Sequence, residues 1–215
     1  ASYVGPPGRS PSSCFRHPEA TCRTPFGIER RGYGFGQPLD HPLSGASTAA
    51  EIERFPWPDP DWMDVSAVRA DALRWRGEFA ILGGDWSPFF HDAIDLFGME
   101  RFMTLMIDAP EVVDAALDRM VDYYHEVSRR IFQAARGAID IFFIGNDFGT
   151  QMGPIVSEAM FRRFFLPRLA RLIGLGHAFG LKVMLHCCGG FAPLIPGMIE
   201  AGLDALQSLQ PDARG

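Results

Sequence analysis

The chain has 215 residues, of which 47% are hydrophobic and 21% are charged, and its formal net charge is −6 at pH 7. This composition excludes disordered and collagen-like proteins, and the acidic balance without clustered Lys or Arg argues against nucleic acid as a partner. The four cysteines fit no secreted disulfide framework, and no apolar run approaches the roughly 20 residues of a membrane helix, so we expect a cytoplasmic protein without a membrane partner.

The first part of the chain differs in composition from the rest. Residues 1–46 are rich in Gly, Pro, Arg and Ser and have no sustained period, which predicts an irregular segment that covers the folded part. From residue 47 onward regular elements are predicted, beginning with a short helix that has the spacing of an N-cap in Thr48 and Glu51. We therefore divide the chain into a covering segment, 1–46, and a β/α region, 47–215.

Buried strands alternate with helices in the β/α region. Short apolar runs predict strands at residues 79–84, 139–144, 181–186 and 203–206. Helical patterns predict helices at residues 64–74, 87–97, 99–107, 110–135, 157–179 with a break at Pro167, and 191–201. This alternation is typical of an α/β fold with a parallel sheet. Because no Gly-rich phosphate loop follows a strand, the pattern favours a closed (β/α)8 TIM barrel over an open doubly wound sheet.

Both ends of the chain suggest that the barrel is incomplete. The sequence begins without Met and stops at Gly215, directly after a strand-end segment. We expect a fragment that lacks barrel elements at both ends and is inactive by itself.

Polar side chains follow each predicted strand, at the carboxyl ends where parallel β/α folds build their sites. The candidates for substrate binding are Asp85, Trp86, Phe89, Asn146, Gln207 and Gln210. Trp86 and Phe89 are suited to line a pocket for a flat ligand, although aromatic residues at a strand end also occur as core. Asp147 closes an apolar strand and is a candidate catalytic residue, with helix capping as the alternative.

The sequence His186-Cys187-Cys188-Gly189 is the strongest chemical signal. The period of two in a strand places His186 and Cys188 on one face and Cys187 on the other. An imidazole and a thiolate are good zinc ligands, but a protein site needs at least three. No third Cys or His follows in this chain, so we expect the third ligand beyond it. The alternative is a packed strand end with a buried histidine and inert thiols.

Several stretches together resemble the uroporphyrinogen decarboxylase superfamily. They are residues 145–151, 157–161 with Pro167 beyond, 185–189, and 201–204 with Gln210-Pro211. The resemblance covers about residues 24–215 and implies a (β/α)8 barrel. It also implies one of two reactions: cofactor-free decarboxylation of uroporphyrinogen, or methyl transfer that involves a corrinoid and a zinc-activated thiol.

The His-x-Cys sequence separates these two branches. Methyltransferases of the superfamily carry this pair at a strand end, matched here by His186 and Cys188. The resemblance therefore implies zinc as cofactor, a small-molecule thiol as substrate, and a corrinoid, either free cobalamin or bound to a partner protein. The alternatives are uroporphyrinogen decarboxylation in porphyrin metabolism and a barrel that binds a corrinoid or tetrapyrrole without turnover. The oligomeric state is not predicted.

Overall fold

The computed structural model describes residues 1–9, 17–32 and 36–214. Its strands are β1 Ser2–Tyr3, β2 Thr21–Arg23, β3 Glu29–Arg31, β4 Gln37–Pro38, β5 Met63–Asp64, β6 Leu82–Gly83, β7 Ile141–Gly145, β8 Gly149–Thr150, β9 Gly153–Pro154, β10 Lys182–His186 and β11 Ala205–Gln207. Its α-helices are α1 Ala49–Arg54, α2 Val68–Trp75, α3 Phe89–Phe97, α4 Met99–Asp108, α5 Pro110–Ala134, α6 Glu158–Met160, α7 Leu166–Ala178 and α8 Ile195–Glu200. Short 3-10 helices at Pro60–Trp62 and Ala192–Leu194 and a π-helix at Phe161–Phe165 complete the regular structure of these residues.

Backbone contacts divide the chain into two compact units. The sheet unit contains Ala1, residues 65–90 and the described residues from Tyr124 onward. The second unit contains residues 2–64 and 91–123, as far as they are described. The domain boundary predicted at residue 46 stays a prediction.

A parallel sheet forms the centre of the sheet unit. Its strand order is β11-β10-β7-β6, and each neighbouring pair is parallel. In this register His186 lies opposite both Gly145 on β7 and Gln207 on β11, so the carboxyl ends of three strands meet at one edge. The predicted α/β fold with a parallel sheet is confirmed, and the predicted strands lie within a few residues of the observed ones. The residues that the structure describes do not by themselves close the sheet into a barrel.

The side chains of β7 and β10 alternate between a buried face and a partly exposed face. Phe142, Ile144, Val183 and Leu185 on one face are completely buried, whereas Phe143 and His186 on the other face are partly exposed. Successive residues of a strand point to opposite faces, so one face of β7 and β10 packs against the core. The other face is left for the site described below.

The helices follow the prediction, and the stretch from 157 to 179 is interrupted close to Pro167. A π-helix at Phe161–Phe165 separates α6 from α7, and the Leu166 N–H donates to the Phe161 carbonyl with the wide spacing of that helix. Pro167 follows directly, in the first turn of α7.

The second unit contains a small sheet that the sequence analysis did not predict. Strands β2, β3 and β4 form an antiparallel sheet within residues 1–46, and Phe26 and Ile28 beside it are buried. The segment is therefore not entirely irregular, because hairpin pairing of short strands needs no long periodic pattern. Residues 10–16 and 33–35 of this segment, including Cys14, lie outside the described residues.

The predicted cap of α1 is confirmed. The Thr48 side chain accepts a hydrogen bond from the Glu51 N–H at 3.3 Å, and the Glu51 carboxylate accepts one from the Thr48 N–H at 2.9 Å. Backbone and side-chain hydrogen bonds from Ser47 and Thr48 lower the pKa of Glu51 to about 2. Across the described ranges, no helix combines the length and the apolar composition that crossing a membrane requires.

Candidate metal centre

Three donor side chains meet at the carboxyl edge of β7 and β10. Asp147 follows β7 by two residues, His186 ends β10, and Cys188 follows it by two. The parallel register of the two strands places these positions side by side, and their ligand atoms all lie within 4.8 Å of one another. The predicted same-face arrangement of His186 and Cys188 is confirmed, and Asp147 joins them.

The donor atoms of this cluster are close enough together to bind one ion. The His186 Nε2 atom lies 3.3 Å from Cys188 Sγ and 3.6 Å from Asp147 Oδ1. A second contact fixes the loop, because the Cys188 N–H donates to Asp147 Oδ1 at 2.6 Å. The side chains of His186 and Asp147 are 21% and 33% exposed, so a small ion or ligand has access from solvent.

Cys187 has a different environment, as its position predicts. It is completely buried, and its sulfur accepts a hydrogen bond from the Phe148 N–H at 3.3 Å. Burial is the largest of the causes that raise the pKa of the Cys187 thiol to about 12. This thiol packs in the core as a neutral side chain.

The electrostatics of Cys188 favour a cation at the site. Burial and the negative charge of Asp147 raise the pKa of Cys188, and a hydrogen bond with the Ser208 side chain opposes them. A divalent cation among the three donors would remove the repulsion between thiolate and carboxylate. Ser208 was missed by the sequence analysis; it follows β11 with a left-handed φ of 66°, a conformation that serine rarely adopts.

The other nitrogen of His186 faces β11. His186 Nδ1 forms a hydrogen bond with Gln207 Oε1. The Trp86 ring lies 5.4 Å from the imidazole between centroids, and Trp86 also meets Phe143 edge to face. Gly145 makes room for this indole, since a Cβ atom on it would come within 1.9 Å of Trp86.

Glycines bring two loops together beside the cluster. The Gly190 N–H donates to the Thr150 carbonyl at 2.7 Å, and a Cβ atom on Gly149 would lie 2.6 Å from the Cys188 carbonyl. Gln210 then ties the segment after β11 to these loops, because its Oε1 accepts from the Gly189 N–H at 3.2 Å. The backbone around the donors is therefore closely packed.

Three residues predicted to bind substrate have structural contacts, and their role in substrate binding stays a prediction. Phe89 is completely buried at the start of α3, so it is core. The buried Asn146 amide accepts from the Phe90 N–H at 2.9 Å and donates to the Ser87 carbonyl at 3.0 Å, which uses both of its ends. The Asp85 carboxylate accepts from the Ser87 N–H at 3.2 Å, two residues on, as in an Asx turn. Strand-end position alone did not reveal these local partners.

Most of the chain matches a known protein family. The model of the uroporphyrinogen decarboxylase (URO-D) family matches residues 46–210. No curated protein is significantly similar to the chain. Among solved structures, a methyltransferase from Methanosarcina mazei is 22% identical with a TM-score of 0.59, over 85% of this chain and 52% of that one. The chain thus spans about half the length of that structure, and at this identity the likeness shows the fold.

Proposed function

The chain belongs to the uroporphyrinogen decarboxylase family, and from that membership we propose that it is a zinc-dependent methyltransferase that moves a methyl group between a corrinoid and a thiol. The observation that carries the proposal is the cluster of Asp147, His186 and Cys188 at the carboxyl edge of the sheet. In this proposal the parallel sheet is part of a (β/α)8 barrel, whose sites lie at that edge. The methyltransferase from Methanosarcina mazei, which shares the fold, supports the choice of reaction.

The donor set fits zinc. Zinc in proteins takes imidazole nitrogen, thiolate sulfur and carboxylate oxygen, and catalytic zinc sites use three protein ligands and keep one position open. His186, Cys188 and Asp147 supply one donor of each kind. From the sequence alone the third ligand was expected beyond this chain, whereas we propose that Asp147 supplies it.

The residues of the cluster have separate roles in this proposal. His186 Nε2, Cys188 Sγ and Asp147 Oδ1 would hold the ion, and the Cys188 N–H keeps the Asp147 carboxylate in place. Bound zinc would lower the pKa of a substrate thiol so that it is a thiolate at neutral pH. Trp86 packs beside the His186 ring, with 5.4 Å between the ring centroids.

The methyl donor is proposed to be a corrinoid, either free cobalamin or cobalamin on a partner protein. A corrinoid is a large flat ligand, and the partly exposed face of β7 and β10 is the surface next to the donors. Gln210, which borders the Gly189 loop, remains a candidate for substrate contact. The cytoplasmic location stays a prediction.

Zinc content tests the proposal directly. Purified protein should bind zinc in a 1:1 ratio, and His186→Ala should lose it. His177→Ala is the matched control, because His177 also contacts an aspartate but lies at the other end of the sheet. Equal, negligible zinc in all three proteins would refute the metal site. Release of carbon dioxide from uroporphyrinogen that resists a chelator would instead identify the decarboxylase reaction.

A further inference from the structure

Gln207 contacts the nitrogen of His186 that points away from the other donors. The β10–β11 register places the two residues opposite each other, and the Cys187 N–H donates to the Gln207 carbonyl at 3.3 Å, which anchors the backbone there. From this position Gln207 Oε1 reaches His186 Nδ1. Histidine that binds a metal through one nitrogen usually donates the other N–H to an oxygen acceptor.

We propose that Gln207 is a positioning residue that holds His186 in the Nδ1–H tautomer, so that the Nε2 lone pair is directed at the metal. The inference rests on the proposed function, and it extends that function to a residue whose side chain contacts the proposed ligand His186. An amide oxygen only accepts hydrogen bonds, so its partner nitrogen must carry the proton. The other nitrogen of a neutral ring then has its lone pair available.

The surroundings of Nε2 support this tautomer. The nearest oxygen of Asp147 is 3.6 Å from Nε2, longer than a hydrogen bond, so it does not hold a proton on that nitrogen. Cys188 Sγ lies at 3.3 Å, and because a thiol can donate to Nε2 as well as accept from it, this contact is compatible with the Nδ1–H form. Gln207 Oε1 can only accept, so its contact is the one that favours the proton on Nδ1.

A neutral acceptor also suits the charge of the proposed site. Thiolate and carboxylate together balance one zinc ion, so an amide at position 207 adds no further negative charge. Gln207→Glu keeps the oxygen acceptor, and Gln207→Leu removes it at similar volume. Gln207 is exposed at the end of β11, so neither change disturbs the core.

Nitrogen-15 NMR of the metal-free protein tests the tautomer without any dependence on zinc. Spectra at about pH 8, where an ordinary imidazole is neutral, identify the protonated nitrogen, and the His186 signals are assigned by their loss in His186→Ala. We expect the Nδ1–H form in wild type and Gln207→Glu, and a shift toward Nε2–H in Gln207→Leu. An Nε2–H ring in wild type, or the same tautomer in all three proteins, would overturn the proposal.

Zinc affinity separates this inference from the proposed function. By competition with a chromophoric chelator, Gln207→Leu should bind zinc about 10–100-fold more weakly than wild type, and Gln207→Glu should restore binding. Gln133→Leu, an exposed glutamine on α5, should behave as wild type. If wild type shows the expected tautomer but binds no zinc, the proposed function fails while the positioning stands. If zinc binds and Gln207→Leu has no effect on affinity, the positioning role fails alone.

Discussion

The two ends of the parallel sheet carry the same pair of side chains in different surroundings. At the amino end, Asp204 accepts from Lys182 Nζ at 2.7 Å, from His177 Nε2 at 2.8 Å and from the Val183 N–H at 2.9 Å. At the carboxyl end, Asp147 lies beside His186 and Cys188. Both ends thus join an aspartate to a histidine, but only the amino end adds a lysine.

This difference separates a structural carboxylate from one that suits a metal. Hydrogen bonds from Lys182 and His177 hold the pKa of Asp204 far below its usual range, so its charge is balanced by the protein. At the carboxyl end, burial raises the pKa of Cys188 and the negative charge of Asp147 raises it further, so the protein itself does not balance a thiolate beside this carboxylate. A cation from solution would stabilise the carboxyl end and has no comparable role at the amino end.

The largest expected effect is the loss of zinc affinity in Asp147→Asn, and Asp204→Asn is its matched control. Asp147→Asn keeps an oxygen acceptor for the Cys188 N–H but loses the anionic donor, so zinc affinity should fall beyond the roughly 10–100-fold typical of outer partners. Asp204→Asn should bind zinc as wild type does. Chelator competition measures both. A similar loss in the two variants would show that the ends of the sheet do not differ in this way.

The sequence predicted the strands that carry the two ends of the sheet better than it predicted the contacts between their side chains. Apolar runs located β7 and β10 because strands buried in a parallel sheet must be apolar, and the period of two separated Cys187 from Cys188. The meeting of Asp147 with Cys188 depends on the register between two strands, which lie far apart in sequence. No local pattern encodes that register.

The local partners of side chains were also not predictable from the sequence. Asn146 and Asp85 were predicted to bind substrate from their position after a strand, yet both hydrogen-bond to the turn at Ser87. Ser208 was missed because its backbone is left-handed, a conformation usually marked by a glycine in the sequence. Its hydrogen bond with Cys188 could therefore not be predicted. Position on a strand predicts where a side chain lies but not which partner it finds.

Gly145 provides the next test, because it controls the packing of the carboxyl end alone. In Gly145→Ala the new Cβ would lie 1.9 Å from the Trp86 ring, which must move from its place against His186. Overpacking of this kind should cost toward the upper end of about 1–3 kcal/mol in the free energy of unfolding. Urea denaturation followed by tryptophan fluorescence measures the loss.

Gly174→Ala is the matched control for that change. Nothing lies within 4 Å of a Cβ atom built on Gly174, which is in the middle of α7. Alanine there should stabilise the protein by about 0.5–1 kcal/mol, since glycine in a helix interior is unfavourable. Equal effects of the two substitutions would mean that Trp86 is not held against Gly145.

The amino end should show its role in stability and in the response to acid. Asp204→Asn should cost about 1–2 kcal/mol in the free energy of unfolding at pH 7, because charge-assisted hydrogen bonds are lost. The folded pKa of Asp204 is lower than the unfolded value of 3.8, so its contribution is fully present above that value and is lost as the pH falls below it. Urea denaturation at several pH values should show wild type and variant converging only below about pH 4. Convergence at neutral pH would place the stabilisation elsewhere.

Substitution of Lys182 should have the smallest effect on the free energy of unfolding. It shows how much each hydrogen bond to Asp204 contributes at the amino end. The Lys182 side chain is 75% exposed, whereas that of Asp204 is 20% exposed, so most of the lysine is already solvated. In Lys182→Met, Asp204 keeps the hydrogen bonds from His177 and the Val183 N–H, and the free energy of unfolding should change by about 0–1 kcal/mol. About 1 M salt should reduce that difference further, because exposed pairs are screened. Urea denaturation with and without salt measures it. A loss as large as that of Asp204→Asn would show that the ammonium, and not the backbone contact, holds the carboxylate, and the amino end would then depend on one exposed charge.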